Sequence, residues 1–358
     1  MTATSREIAQ QPALWKVVAR NVADRRPTTS AFLDPVLDDP RARIILTGAG
    51  TSAFIGEVLA ADLERATGRR VDAIATTDLV ATPGRYLAGD APTLLVSFAR
   101  SGDSPESVAA ADLADELLPR AYHLVITCNP DGALATARAG RDGSLVLTMP
   151  AAANDAGFAM TSSFTCMLLT ARLTLGAPVP AGTMAGLIAA AEQALVETPD
   201  RAAALARRGF DRVVHLGSGP LQGLAREGAL KMLELTAGRV ATWFDSPLGF
   251  RHGPKAVLTD RTLIVVHASG DPHTRRYDDD IVAELSDHPV VVLSGTWPLP
   301  FAAGTDDTLR ALVYAVPCQI LALEFSLALG LTPDNPFPAG QVNRVVSGVR
   351  IHPLRALR

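Results

Sequence analysis

The chain predicts an α/β protein built from two tandem, doubly wound parallel sheets, each a flavodoxin-like, three-layer αβα sandwich. Three observations predict it. Short apolar runs alternate with Ala/Leu-rich helical stretches over 358 residues, a length too great for one average core. The runs are too continuous in Val, Ile and Leu to be half exposed, as expected of parallel strands covered on both faces. The second half also repeats the plan of the first at a constant spacing of 169 residues.

Residues 1–30 read as a leading helical arm, and the first unit runs over 31–190. Its strands are RIILTGAG (43–50), TLLVSFA (93–99), HLVITC (123–128) and SLVLTMP (144–150). Between them SAFIGEVLAADLERATG, SPESVAAADLADELLP and DGALATARAG have helical composition. APVPAGTMAG (177–186), rich in Pro and Gly, is the expected break, and the second unit runs over 200–358. There RVVHLGSGPLQGLAREGALKMLEL (212–235) parallels RIILTGAGTSAFIGEVLAADLERA (43–66). TLIVVHASGD (262–271) parallels TLLVSFARSGD (93–103) at the same offset. The most membrane-like stretch, 308–330, is interrupted by Arg310, Pro317, Gln319 and Glu324, so a buried helix is expected there.

Composition removes several function classes. A net charge of −4 and an isoelectric point near 6.0 offer no basic field for nucleic acid or an anionic membrane. The N-terminus, MTATSREIAQQPALW, lacks the apolar stretch of a signal peptide. Cys128, Cys166 and Cys318 are scattered, which argues for a reducing cytoplasm and against disulfides or a zinc site. The histidines show no metal-ligand spacing. There is no GxxxxGK[ST], and GAGTSA lacks the GxGxxG register, so neither metal nor cofactor is expected.

The chemistry of the two copies differs. In the first, GAGTSAF (48–54) and SFARSGDSPES (97–107) each follow a strand, at the end where open α/β sheets bind ligands. Small residues let backbone N–H groups approach an anion, a helix N-terminus adds partial positive charge, and Ser52, Ser101 and Ser104 add hydroxyl donors. The best partner for such a cup is a phosphate. Ser104–Pro105–Glu106 also reads as a plain N-cap, and both readings can hold. At the offset of 169 the second copy has Gly270 and His273 in place of Ser101 and Ser104. It carries EGALKMLEL (227–235) instead, with Glu227, Lys231 and Glu234 at i, i+4 and i+7 on one helix face. That is either a surface ion-pair ladder or acid/base machinery. Downstream, His252 in FRHGPK is a better acid/base candidate than His123, His288 or His352.

GAGTSA, SxSGDSPES, EGALKMLE and RHGPKA together resemble the sugar isomerase domain pair found in the isomerase half of glucosamine-6-phosphate synthase. The longer strings EIAQQPALW, SFARSGDSPES, FDSPLGFRHGP and VNRVVSGV resemble one branch, the tagatose-6-phosphate ketose/aldose isomerases, also described as galactosamine-6-phosphate deaminase/isomerases. The resemblance covers nearly the whole chain. It implies that Thr51, Ser52, Arg100, Ser101, Gly102, Ser104 and Ser162 hold the sugar phosphate. It implies Glu234 as the base moving a proton between C2 and C1, with Lys231 one turn away to set its ionisation. His252 would assist ring opening, reaching into the neighbouring subunit of a homodimer or higher homo-oligomer with shared active sites. Arg344 stands where the synthase keeps a tail lysine, Arg100 where it has a glutamine, and Ser162 where it has a lysine. Those departures imply a changed substrate. No glutaminase domain precedes the unit, so glutamine-dependent amination is not expected. The implied substrate is a phosphorylated amino sugar, galactosamine 6-phosphate, released as tagatose 6-phosphate and ammonia; plain aldose–ketose isomerisation and phosphosugar sensing are the alternatives.

Overall fold

The computed structural model describes residues 1–346 and 348–354. Ser347, inside the VNRVVSGV string, and residues 355–358 lie outside the described residues. Among the described residues, nine strands form two all-parallel sheets. The first contains β1 (Arg43–Thr47), β2 (Arg70–Ala73), β3 (Thr93–Ala99), β4 (Ala121–Thr127) and β5 (Ser144–Thr148), in the order β2-β1-β3-β4-β5. The second contains β6 (Arg212–Leu216), β7 (Ala241–Asp245), β8 (Thr262–His267) and β9 (Val290–Leu293), in the order β7-β6-β8-β9. The second order is that of the first with its last strand missing.

Alternation along each strand explains how both faces of each sheet are covered. Ile44, Leu46, Leu94 and Val96 point into a core shared with the helices Gln11–Leu37, Thr51–Thr67 and Ser162–Leu175. Ile45, Leu95 and Val125 point the other way, against the helix Pro105–Leu117 and its neighbours. In the second sheet Val213 and Val265 join the shared core, beside the helices Pro220–Leu235 and Asp307–Ala328. Val214, Leu216, Ile264 and Val266 form an outer cluster with Phe250, Val257 and Ile281. One apolar core therefore runs continuously between the two sheets.

The arm is two helices, Ala3–Ala9 and Gln11–Leu37, the second running through Pro27 and Pro35. The helix Ser162–Leu175 ends at Gly176, and the next helix, Ala181–Ala206, starts inside the Pro/Gly-rich break. The helix Asp307–Ala328 is long and apolar enough to cross a membrane, yet 83% of its most apolar window is buried. It packs against Ala181–Ala206 and Pro220–Leu235, and its Gln319 accepts a 2.8 Å hydrogen bond from Gln11. The polar interruptions thus serve a buried helix.

The turns after β1 and β6 have nearly the same backbone. Gly50 sits at φ 56, ψ −129 and Gly219 at φ 56, ψ −127, a region that disfavours any side chain. The offset of 169 does not persist through the turn after β8. The helix Pro272–Glu284 has Asp271 as its N-cap, so the residue standing where Ser104 stands is Asp271 rather than His273.

Candidate active site

The helix Pro220–Leu235 leaves the carboxyl end of β6 and crosses the helix Thr51–Thr67, which leaves the carboxyl end of β1. Its inward face carries Glu227, Lys231 and Glu234. Glu227 and Lys231 are buried, whereas the Glu234 side chain keeps 25% exposure, so Glu234 is the member a ligand can reach. The Lys231 ammonium hydrogen-bonds Glu234 Oε2 and lies 3.5 Å from Glu227 Oε1. Burial alone would lower the Lys231 pKa, but the two carboxylates outweigh it and hold it above its ordinary value. Burial pushes the Glu227 carboxyl up to about 8, helped by the charge of Glu234 and opposed by Lys231 and the Thr51 hydroxyl. The Lys231 hydrogen bond to Oε2 fixes the orientation of the Glu234 carboxylate.

The loop Arg100–Ser104 follows β3 and is braced from behind. Asn129 Nδ2 donates to the Ser101 carbonyl at 2.9 Å, and the Leu134 amide donates to the Gly102 carbonyl at 2.9 Å. The Ala133 amide donates to Asp103 at 2.9 Å. Gly102 holds φ +74, and Ser101 Oγ accepts from the Asp103 amide at 3.3 Å. Ser104 occupies the N-cap of Pro105–Leu117, but its Oγ pairs with Ser107 Oγ at 2.7 Å and does not cap the backbone. Pro105 has no N–H and the Ser107 amide donates to the Ser104 carbonyl at 3.0 Å, so the Glu106 amide is the first-turn donor without an acceptor among the described residues, and it suits an external anion. Ser52, at the uncapped start of Thr51–Thr67, has only a 3.8 Å contact to the Met160 sulfur.

Arg100 links this loop to the triad. Its guanidinium donates to the Phe158 carbonyl at 3.2 Å and to the Arg344 carbonyl at 2.7 Å, and it lies within electrostatic reach of Glu234 and Lys231. Burial and the Arg344 charge lower its pKa from the ordinary value. The Arg344 side chain in turn donates to the carbonyls of Asp155 and, at 3.1 Å, Gly157. The C-terminal segment is thereby laced across the 155–158 loop, which Glu7 grips from the other side through the amides of Ala156 and Gly157.

The fold thus brings Thr51, Arg100, Lys231, Glu234 and Arg344 together. Ser162 is fully buried, with its hydroxyl committed to Asp155 and accepting from Gln10 at 3.0 Å. Asp155 was not singled out from sequence. Its buried carboxylate accepts from the amides and hydroxyls of Thr161, Ser162 and Ser163, anchoring the helix Ser162–Leu175 beside the Arg344 crossing. The available signal was an aspartate seven residues before a Ser/Thr-rich helix start. His252 is exposed, in the loop that packs on the outer face of the second sheet, opposite to the helix that carries Glu234. Its neighbours Arg251 and Lys255 pair with Glu284, and its ring has no hydrogen-bond partner among the described residues. This chain alone does not bring His252 to Glu234. A separate cavity of about 880 Å³ lies between Gln11–Leu37 and Ala181–Ala206; its lining is largely apolar, and Lys16 and Glu192 on it pair with each other. It holds no such carboxylate–ammonium arrangement at a sheet end.

This architecture recurs in the C-terminal domain of glucosamine-fructose-6-phosphate aminotransferase from Francisella tularensis, with a TM-score of 0.70 over 94% of this chain and 98% of that one. At 17% identity that likeness is of fold alone. The SIS domain family model matches residues 37–176, which defines the class as a SIS-domain protein. Two chains are much nearer. The D-galactosamine-6-phosphate deaminase AgaS of Shewanella sp. (strain ANA-3) is 46% identical over 98% of this chain and 92% of its own length. The crystal structure of tagatose-6-phosphate ketose/aldose isomerase from Escherichia coli has a TM-score of 0.90 and 41% identity, covering 99% of this chain and 97% of that one. The chain belongs to this AgaS family of SIS-domain enzymes.

Proposed function

We propose that the chain converts galactosamine 6-phosphate and water to tagatose 6-phosphate and ammonia. One observation carries the reading. A clamped, partly exposed carboxylate, Glu234, lies within electrostatic reach of Arg100, which opens a braced loop carrying the Ser101 and Ser104 hydroxyls and leading to the free Glu106 amide. Relatives at 43–56% identity over nearly the full chain bear the name of that deaminase.

In this reading Ser52, Ser101, Gly102 and Ser104 hold the phosphate, with Thr51 and Arg100 completing the cup, and so position the open-chain sugar. The aldehyde at C1 acidifies the C2 proton. Glu234 removes it and returns it to C1, and the resulting C2 imine is hydrolysed to the ketone with loss of ammonia. Lys231 orients Glu234, Arg344 closes the site, and Ser162 acts from beneath through Asp155. His252 assists ring opening in a neighbouring subunit of a homodimer or higher homo-oligomer. The two halves are read as tandem copies of one doubly wound unit, 31–190 and 200–358, behind the arm 1–30, in a cytoplasmic enzyme whose reaction uses no metal or cofactor.

A general base is worth about 10²–10⁴-fold, so Glu234→Gln loses at least that factor in ammonia release while phosphate binding persists. Unchanged turnover removes Glu234 from the mechanism. The name of the Escherichia coli structure favours a second reading, ketose/aldose isomerisation without deamination. Sugar isomerised with no ammonia released would establish it.

A further inference from the structure

Three residues far apart in sequence meet beneath the helix Pro220–Leu235, outside the site described above. His215 on β6 and His267 on the adjacent β8 are fully buried, 52 residues apart, with His215 Nδ1 and His267 Nε2 3.2 Å from each other. Cys318, 4% exposed, comes from the helix Asp307–Ala328, and one donor atom from each of the three lies within 4.8 Å of the other two. The outer ring nitrogens, His215 Nε2 and His267 Nδ1, have no hydrogen-bond partner among the described residues. The covering helix is adapted to the rings: a Cβ at Gly228 would sit 2.7 Å from His215 Nδ1. Two imidazoles placed edge to edge in an apolar core, opposite a thiol, satisfy one another poorly as hydrogen-bonding groups.

We propose that His215, His267 and Cys318 form a three-coordinate site for a monovalent, thiophilic cation, Cu(I). Geometry is the first argument. Imidazole nitrogens about 2.0–2.1 Å from one ion, at angles between tetrahedral and trigonal, stand roughly 3.3–3.6 Å apart, so the observed 3.2 Å needs a shift of a few tenths of an ångström, and the Cys318 sulfur, within 4.8 Å, closes by up to about 1 Å to make a bond of about 2.3 Å. Charge is the second. Two neutral imidazoles and one thiolate carry −1, which Cu(I) cancels in a core that admits no counterion. A divalent ion would leave a buried positive charge and seek a fourth ligand, and the described residues offer three. Donor softness is the third, since thiolate with imidazole suits copper. Binding forms one Cu–S and two Cu–N bonds and releases the Cys318 thiol proton, with no change in oxidation state. Glu227 lies within electrostatic reach of Cys318, so occupancy is felt at the catalytic helix.

The test is an anaerobic titration of the full-length protein with Cu(I) in competition with a chromophoric chelator, with Zn(II) run in parallel. The expected result is one equivalent of Cu(I) in the wild type and in a Cys128→Ser/Cys166→Ser double variant. In Cys318→Ser the affinity falls at least about 100-fold, because even partners outside the ligand set are worth roughly 10–100-fold. Copper K-edge absorption on the loaded wild type then gives two nitrogen neighbours and one sulfur, a readout independent of whether any variant folds. Equal binding by wild type and Cys318→Ser, a spectrum without that sulfur, or zinc held in preference to copper overturns the proposal.

Discussion

A methyl group at Gly132 tests whether the Arg100–Ser104 loop is the phosphate cup. Gly132 sits at φ −64, ψ 150, which any residue adopts, so Gly132→Ala introduces no backbone strain of its own. The added Cβ would lie 2.3 Å from the Ser101 carbonyl oxygen, 3.1 Å from Gly102 Cα and 3.3 Å from Asn129 Nδ2. Ordinary C···O approach is about 3.3–3.6 Å, so the Ser101–Gly102 backbone must retreat by about 1 Å. It cannot swing aside as a side chain would, because Asn129 and Leu134 hold its carbonyls. Overpacking of this kind costs about 1–3 kcal/mol of stability. A 1 Å misplacement costs up to about 10²-fold in turnover efficiency. The cup grips a group remote from the reacting carbons, alike in ground and transition states, so the loss falls chiefly on KM. Steady-state ammonia release over a range of galactosamine 6-phosphate concentrations reads both constants, and Gly182→Ala, with nothing within 4 Å, controls for the added methyl. A folded Gly132→Ala enzyme with wild-type KM would refute the assignment of the loop; a fall in kcat alone would move it from binding to chemistry.

The remaining predictions concern charge. Arg172, buried between Asp62 at 2.8 Å and Asp306 at 3.2 Å, ties the helix Ser162–Leu175 to two other segments; Arg172→Met leaves the buried Asp62 with only the exposed Arg65, at 2.7 Å, and costs about 1–3 kcal/mol in urea unfolding, and a loss under about 0.5 kcal/mol would show the pair to be dispensable. Glu227 has a folded pKa raised to about 8 from an ordinary 4.5, so its contribution is full below 4.5 and is lost as pH rises through 8. Wild-type stability should therefore decline relative to Glu227→Gln by about 1.4 kcal/mol per pH unit between pH 5 and 8, and parallel curves would contradict the buried, protonated carboxyl. In the second sheet the Asp307 carboxylate accepts from Ser269 Oγ and, at 2.7 Å, from the Gly270 amide, occupying the turn that matches the phosphate cup. Asp307→Ala should open a second anion site, read as two inorganic phosphates bound per chain by calorimetry where the wild type binds one.

Much of the fold was legible because buried parallel strands leave continuous apolar runs: TLLVSFA coincides with β3, and the RIILT, HLVIT and SLVLT runs lie within β1, β4 and β5. The edge strands left weaker marks. RVDA and ATWFD are each exposed on part of their length, so β2 and β7 alternate or expose aromatics where the central strands are uniformly apolar. The triad was legible from a helical spacing that one face of Pro220–Leu235 satisfies. Its surroundings were not, because Arg344 reaches Asp155 across 189 residues and no local period encodes such a crossing. The same holds for His215, His267 and Cys318, whose proximity depends on strand order and on the packing of one late helix.

The two sheets also show why a constant offset was informative and then misleading. It held where geometry is forced, at the paired glycines after β1 and β6, because only glycine adopts that backbone. It failed after β8, where the turn is shorter and Asp271 caps the helix through its own side chain, accepting from the His273 and Thr274 amides. With Asp271 on those amides and Asp307 on Gly270, the second turn supplies its own anions. The first turn leaves Ser104 paired with Ser107 and, with no carboxylate on it, the Glu106 amide unspent. One scaffold thus yields a closed turn and an open one, and the difference lies in whether the chain's own carboxylates or an external ligand meets the same backbone donors.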